Sequence, residues 1–161
     1  MNVKEYNEAV DCYADSIYRF ALKHLKNAMN AQDIVQETFM KVWDKHQEVD
    51  AQKVKSYLFT TAYHTIINWI KNEKKSGDIE KAPIHQFFYK PAEMDIKEVL
   101  EKALDTLPEI QKTLVLLRDY EGYSYDEIGE ICSLNPSQVK VYIFRARQQL
   151  KNYIKDKDLV A

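Results

Sequence analysis

Between Ile131 and Lys155 the chain carries five basic residues, Lys140, Arg145, Arg147, Lys151 and Lys155, and no acid. The preceding stretch, Glu93 to Glu130, holds eleven acids and four bases. Net charge thus swings from −7 to +5 between neighbouring segments, the signature of a face directed at a polyanion. Ser137, Gln138 and Lys140 stand where a helix start reaches base edges. Arg145 and Arg147 suit phosphate or a guanine edge. Phe144 suits a thymine methyl, a sugar, or packing on its own domain. A merely solvated basic helix would carry the same charges, so the elements around it decide.

Those elements read as two helices and a tight turn. Ser124 and Glu127 have capping-box spacing. Ile128 and Ile131 point inward, and Gly129 is small where the second helix is expected to cross. Ser133-Leu134-Asn135 makes the turn, with Asn135 as N-cap and Pro136 as first helical residue. Val139 and Ile143 face the short helix. Ser137, Gln138, Lys140, Val141, Phe144 and Arg145 remain to be divided between groove and packing. The pattern is a helix-turn-helix that lays its second helix against nucleic acid.

The rest of the chain reads as all-α. Gly and Pro, which interrupt helices, number only 3 and 4 in 161 residues. No apolar run approaches the roughly 18 residues of a membrane span. The first fifteen residues are acidic and polar, unlike a secretory signal. Cys12 and Cys132 match no metal spacing and read as reduced thiols of a cytoplasmic protein. The four histidines, His24, His46, His64 and His85, are dispersed and read as surface residues. No nucleophile–base pair or metal cluster emerges, so no catalytic residue, metal or cofactor is expected.

Apolar spacing predicts helices over Tyr6 to Leu25, Ala31 to Lys45 and Ser56 to Lys74, with a break at Asn27 to Asn30 and a loop at Gln47 to Lys55. Residues 76–92, with Gly77, Pro83, Pro91 and the patch Phe87-Phe88-Tyr89, read as a linker. A further helix follows on the spacing of Ile96, Val99, Leu100 and Leu104, then one opened by Pro108 and stopped near Gly122. The division expected is 1–75, a linker 76–92, and 93–161.

Leu107-Pro108-Glu109, Glu121 to Ile128, Val139-Lys140 and Arg145-Ala146-Arg147 resemble the −35-reading domain of extracytoplasmic-function sigma factors. Ala31 to Trp43 (AQDIVQETFMKVW) and Tyr57 to Lys71 resemble the same family's other domain. Two independent motifs in the family's order make the likeness specific, and it spans nearly all of the chain outside the linker.

The resemblance implies a two-domain sigma factor that binds core RNA polymerase and promoter DNA and lacks a small-molecule substrate. Asp33, Gln36, Glu37 and Lys41, on one polar helix face, would meet the clamp helices of the largest subunit, and the C-terminal domain the flap. His64, Asn68, Trp69, Lys71, Asn72, Lys74 and Lys75 would serve the −10 element. There a base is captured from the stack, with the Gln47 to Lys55 loop supplying its pocket. His64 stands where relatives usually have Asn, and Trp69 also suits a core position. Val141 and Tyr142 replace a frequent Ser-Arg in the −35 reader, and Ser133 replaces a usual turn glycine. An anti-sigma partner is implied by resemblance alone. The rival reading is a helix-turn-helix regulator that never joins polymerase, which would not need the Asp33 to Lys75 block.

Overall fold

The computed structural model describes residues 1–75 and 95–156. The expected linker, with its Phe87-Phe88-Tyr89 patch and His85, lies outside them. Every regular element among the described residues is helical.

The N-terminal part is a three-helix bundle. Helix α1 spans Val3–Leu25, where Asn2 and Glu5 form a capping box and Lys26 closes the end in a left-handed conformation. Helix α2 spans Ala28–Asp44. It starts one turn before the expected Ala31, because the Asn27 side chain accepts from the Asn30 N–H at 3.0 Å and caps it there. Two short 3-10 turns, His46–Glu48 and Ala51–Lys53, occupy most of the expected loop. Helix α3, Val54–Lys75, begins two residues earlier than its apolar stripe suggests. Ile17, Phe20 and Ala21 of α1, Ile34, Phe39 and Val42 of α2, and Leu58, Phe59, Ala62 and Ile66 of α3 are buried together.

The C-terminal part comprises α4 (Ile96–Asp105), α5 (Glu109–Val115) continued by a π turn over Leu116–Tyr120, α6 (Tyr125–Cys132) and α7 (Pro136–Asp156). In α4 the buried residues are Val99, Ala103 and Leu104. Ile96 and Leu100, part of the apolar spacing that predicted this helix, are exposed, and α4 packs on α7. Gly122, at φ +76°, ends the π turn as a stop that only glycine takes without strain.

The two parts share one apolar core cluster. Helix α6 packs against α3, and the Phe59 and Tyr123 rings meet edge-on with centroids 5.5 Å apart. The ammonium of Lys55 lies 4.7 Å above the Tyr123 ring. His24 is not at the surface, contrary to expectation. Its imidazole is fully buried, with Nδ1 3.0 Å from the Glu109 carboxylate and Nε2 3.3 Å from the Thr113 hydroxyl. Sequence spacing of 85 residues hides such a partner. Asp105 binds both Lys26 and the buried Lys112 at 3.0 Å.

Candidate nucleic-acid interface

Two helix starts position the C-terminal site. At α6 the Ser124 N–H donates to Glu127 Oε1 at 3.0 Å and the Glu127 N–H to Ser124 Oγ at 3.1 Å. These bonds hold the Glu127 carboxyl below its ordinary range. At α7 a second reciprocal box joins Asn135 and Gln138: the Gln138 N–H donates to Asn135 Oδ1 at 2.8 Å, and the Asn135 N–H to Gln138 Oε1 at 3.0 Å. The Asn-x-x-Gln spacing carried that signal. Gln138 therefore spends its carbonyl on the cap and keeps its NH2 for an outward contact.

The turn between them depends on two unusual positions. Ser133 adopts φ 57°, ψ 47°, where glycine is at home. A Cβ on Gly129 would lie 2.5 Å from the Leu134 carbonyl oxygen. Gly129 is thus required by the turn's own backbone, whereas the crossing helix offers only Val139 Cγ2 at 3.8 Å.

Helix α7 buries Val139, Ile143 and Ala146. With about 100° between successive residues, the opposite face carries Ser137, Val141, Phe144 and Gln148. All four are exposed, as are Lys140 and Arg145 on the flanks. Tyr142 is half-buried against the core and does not share this face. Arg147 is exposed but held by Asp119 at 2.6 Å. An open cleft between the starts of α6 and α7 is lined by Arg118, Ser124, Tyr125, Asp126, Pro136, Ser137 and Lys140. Arg118 was not expected there. Its guanidinium lies 4.8 Å over the Tyr125 ring and donates to the Tyr123 carbonyl at 2.9 Å. In sequence it is one of four bases in the acidic Glu93 to Glu130 stretch, and only the fold brings it beside Lys140.

On α3, His64, Asn68, Lys71, Asn72, Lys74 and Lys75 are exposed, whereas Trp69 is half-buried and packed on the core. His64, Asn68, Lys71 and Lys75 recur at helical spacing and share a face. On α2, Asp33, Gln36, Glu37 and Lys41 are all exposed, with Lys41 2.9 Å from Glu37 and 3.1 Å from the Thr65 hydroxyl. Met29 and Met40 on the same helix are exposed by 75% and 68%, an apolar complement that polar spacing alone did not suggest. Trp43 stacks on His46 at 4.1 Å.

Among the described residues no group of three metal-binding side chains is clustered. No described helix is long and apolar enough to cross a membrane.

The family description "Sigma-70 region 2" matches residues 9–76, and "Sigma-70, region 4" matches residues 97–150. The ECF RNA polymerase sigma factor SigM of Bacillus subtilis is 32% identical over 150 residues, covering 90% of this chain and 92% of that protein. RNA polymerase sigma factor SigV of the same organism is 32% identical over 155 residues, covering 93% of each. Among solved structures, the sigma factor RpoE of Bartonella quintana, in complex with the anti-sigma factor NepR, has a TM-score of 0.78 at 25% identity, covering 95% of this chain and 98% of that one. With both regions matched in order on an all-helical fold, the chain belongs to the ECF sigma factors of the sigma-70 family and is an RNA polymerase sigma factor.

Proposed function

We infer that the chain joins core RNA polymerase, directs it to a two-part promoter and helps open the duplex. Residues 1–75 bind core through Asp33, Gln36, Glu37 and Lys41 against the clamp helices of the largest subunit. They read the −10 element through His64, Asn68, Lys71, Asn72, Lys74 and Lys75, with Trp69 bracing the helix from within. Residues 76–92 connect this unit to 93–161, which meets the polymerase flap and reads the −35 element. Ser137, Gln138, Lys140, Val141, Phe144 and Arg145 face that duplex, and Arg147 and Tyr142 support them from the side. The polymerase supplies the metal and the bond-making, and the chain works in the cytoplasm without catalytic chemistry of its own.

The observation that carries this reading is the pairing of two exposed surfaces on one chain. One is the α7 face, where Lys140 and Arg145 flank an outward row rooted on buried Val139, Ile143 and Ala146. The other is the Asp33 to Lys41 face of α2. A regulator that never joins polymerase would need only the first. Run-off transcription with core enzyme, together with co-purification of the chain with core, is the test. Promoter-dependent transcripts and retention are expected. DNA binding without core retention would favour the regulator. Because the similar RpoE was solved with an anti-sigma factor, we infer an anti-sigma partner for this chain too. Affinity capture of the tagged chain from its own host checks that.

A further inference from the structure

The outward row of α7 is polar at its ends and apolar in its middle. Ser137 and Gln148 bracket Val141 and Phe144, which are exposed by 45% and 64%. These two are the large apolar side chains that α7 leaves in solvent. Tyr142, between them in sequence, turns back onto the core. Val141 points most directly away from the buried root of Val139, Ile143 and Ala146. Phe144 follows about 60° around the helix and about 4.5 Å along it. At this spacing the two side chains adjoin and form one apolar strip. Lys140 flanks the strip on the Phe144 side and Arg145 on the Val141 side, both exposed.

A single exposed valine needs no partner. An apolar pair between two cations, on a face aimed at a polyanion, has a defined one. A duplex held by Lys140 and Arg145 turns the base edges of its major groove toward the strip. Valine and phenylalanine neither donate nor accept hydrogen bonds, so they read none of the polar groups there. A purine edge would set its N7 and its O6 or N6 against carbon, stripped of water and without a partner. Thymine instead offers its C5 methyl group, the apolar mark in the major-groove code. Val141 is β-branched and holds one strongly preferred rotamer in a helix, so its methyl groups are placed before DNA arrives. The offset of about 4.5 Å between the two side chains is close to one base step of about 3.4 Å. The strip therefore spans neighbouring base pairs.

We propose that Val141 and Phe144 select thymine by its C5 methyl group at neighbouring positions of the −35 element. The proposal rests on the sigma-factor reading above. Lys140 and Arg145 fix the register from either side, and the apolar strip supplies the discrimination between them. Burying one methyl group is worth about fourfold in affinity, so removing a read methyl costs that factor while leaving every hydrogen bond in place.

The test starts from promoters with a randomised −35 region, selected on core polymerase loaded with the full chain. Each thymine of the enriched element is then replaced in turn by deoxyuridine, which deletes only the C5 methyl group. Titration of the loaded polymerase onto each duplex is repeated with Val141→Ala and Phe144→Ala, whose helicity is checked by circular dichroism. If one variant loses helix, the other and the parent's own uracil scan carry the comparison. Thymine enriched at neighbouring positions, a loss of about fourfold with uracil there, and a variant that binds the thymine and uracil duplexes equally at one of them support the strip. An enriched element without thymine, a parent indifferent to uracil at every position, or folded variants that keep the full uracil penalty overturn it. If the loaded polymerase enriches no sequence at all, the sigma-factor reading itself fails and the strip falls with it.

Discussion

At the scale of single residues, polar groups in this chain divide between those that face outward and those that hold the turn. Lys140 and Arg145 are exposed with no partner fixing their heads in the described structure, whereas Gln138 and Arg147 are already engaged. Lys140→Ala or Arg145→Ala should weaken −35 duplex binding by about 1–3 kcal/mol if the residue reads a base, and lower the salt slope by about 1 if it contacts phosphate. Fluorescence anisotropy at several salt concentrations separates the two, and unchanged binding by a folded variant would remove the residue from the interface. His24 gives a pH prediction. Burial holds its pKa below the ordinary imidazole range, against the opposing pull of Glu109 and with Lys112 and Lys26 adding to the depression. The hydrogen bond to His24 holds Glu109 below the ordinary carboxyl range. A depressed pKa contributes stability above the unfolded value and loses it as pH falls, so acid weakens both sides of this contact. Melting temperature should therefore drop more steeply below about pH 6.5 in the parent than in His24→Gln. Parallel curves would show that His24 is not the group responsible.

At the scale of elements, capping and turn geometry set where the recognition helix starts and how it is aimed. Ser133 carries a left-handed conformation that costs a non-glycine residue roughly 1–2 kcal/mol. Ser133→Gly should raise thermal stability by up to about 1 kcal/mol once glycine's larger unfolded entropy is discounted. Chemical denaturation followed by circular dichroism measures it, and a destabilised variant would mean that the serine side chain contributes more than its backbone costs. Gly129→Ala should do the reverse. A methyl 2.5 Å from the Leu134 carbonyl forces the turn open, at about 1–3 kcal/mol, and should weaken −35 binding while leaving core retention intact. That split distinguishes a local turn defect from global unfolding.

At the scale of the whole molecule, the balance between apolar packing and charge decides how the parts are held together. The Lys26–Asp105 pair is about two-fifths exposed on each side, and such pairs contribute little. Phe59, Tyr123 and His24 are buried and lie beyond the reach of salt screening. Raising salt from roughly 0.1 to 1 M should accordingly leave the scattering radius of the free chain nearly unchanged. Expansion in high salt would instead make the surface charges the main attachment.

How much of this was legible in the sequence depended on how local its cause was. The all-helical class, the Ser124–Glu127 box, the Asn135-Pro136 start and the acid-free run of bases along α7 follow from neighbours within one or two turns, and spacing reveals those. The motifs around Asp33 and Tyr57 identified the family for the same reason. The start at Asn27 was missed by a turn because a cap outweighs the apolar pattern there, and α3 starts at Val54, directly behind the Ala51–Lys53 turn. Other features were invisible because their partners are remote in sequence: the burial of His24 against Glu109, the outward turn of Ile96 and Leu100, and the placement of Arg118 beside Lys140. Which surfaces are free, and that α1 and α3 are packed against α5 and α6, only the tertiary structure decided, since long-range packing depends on the whole chain closing on one core.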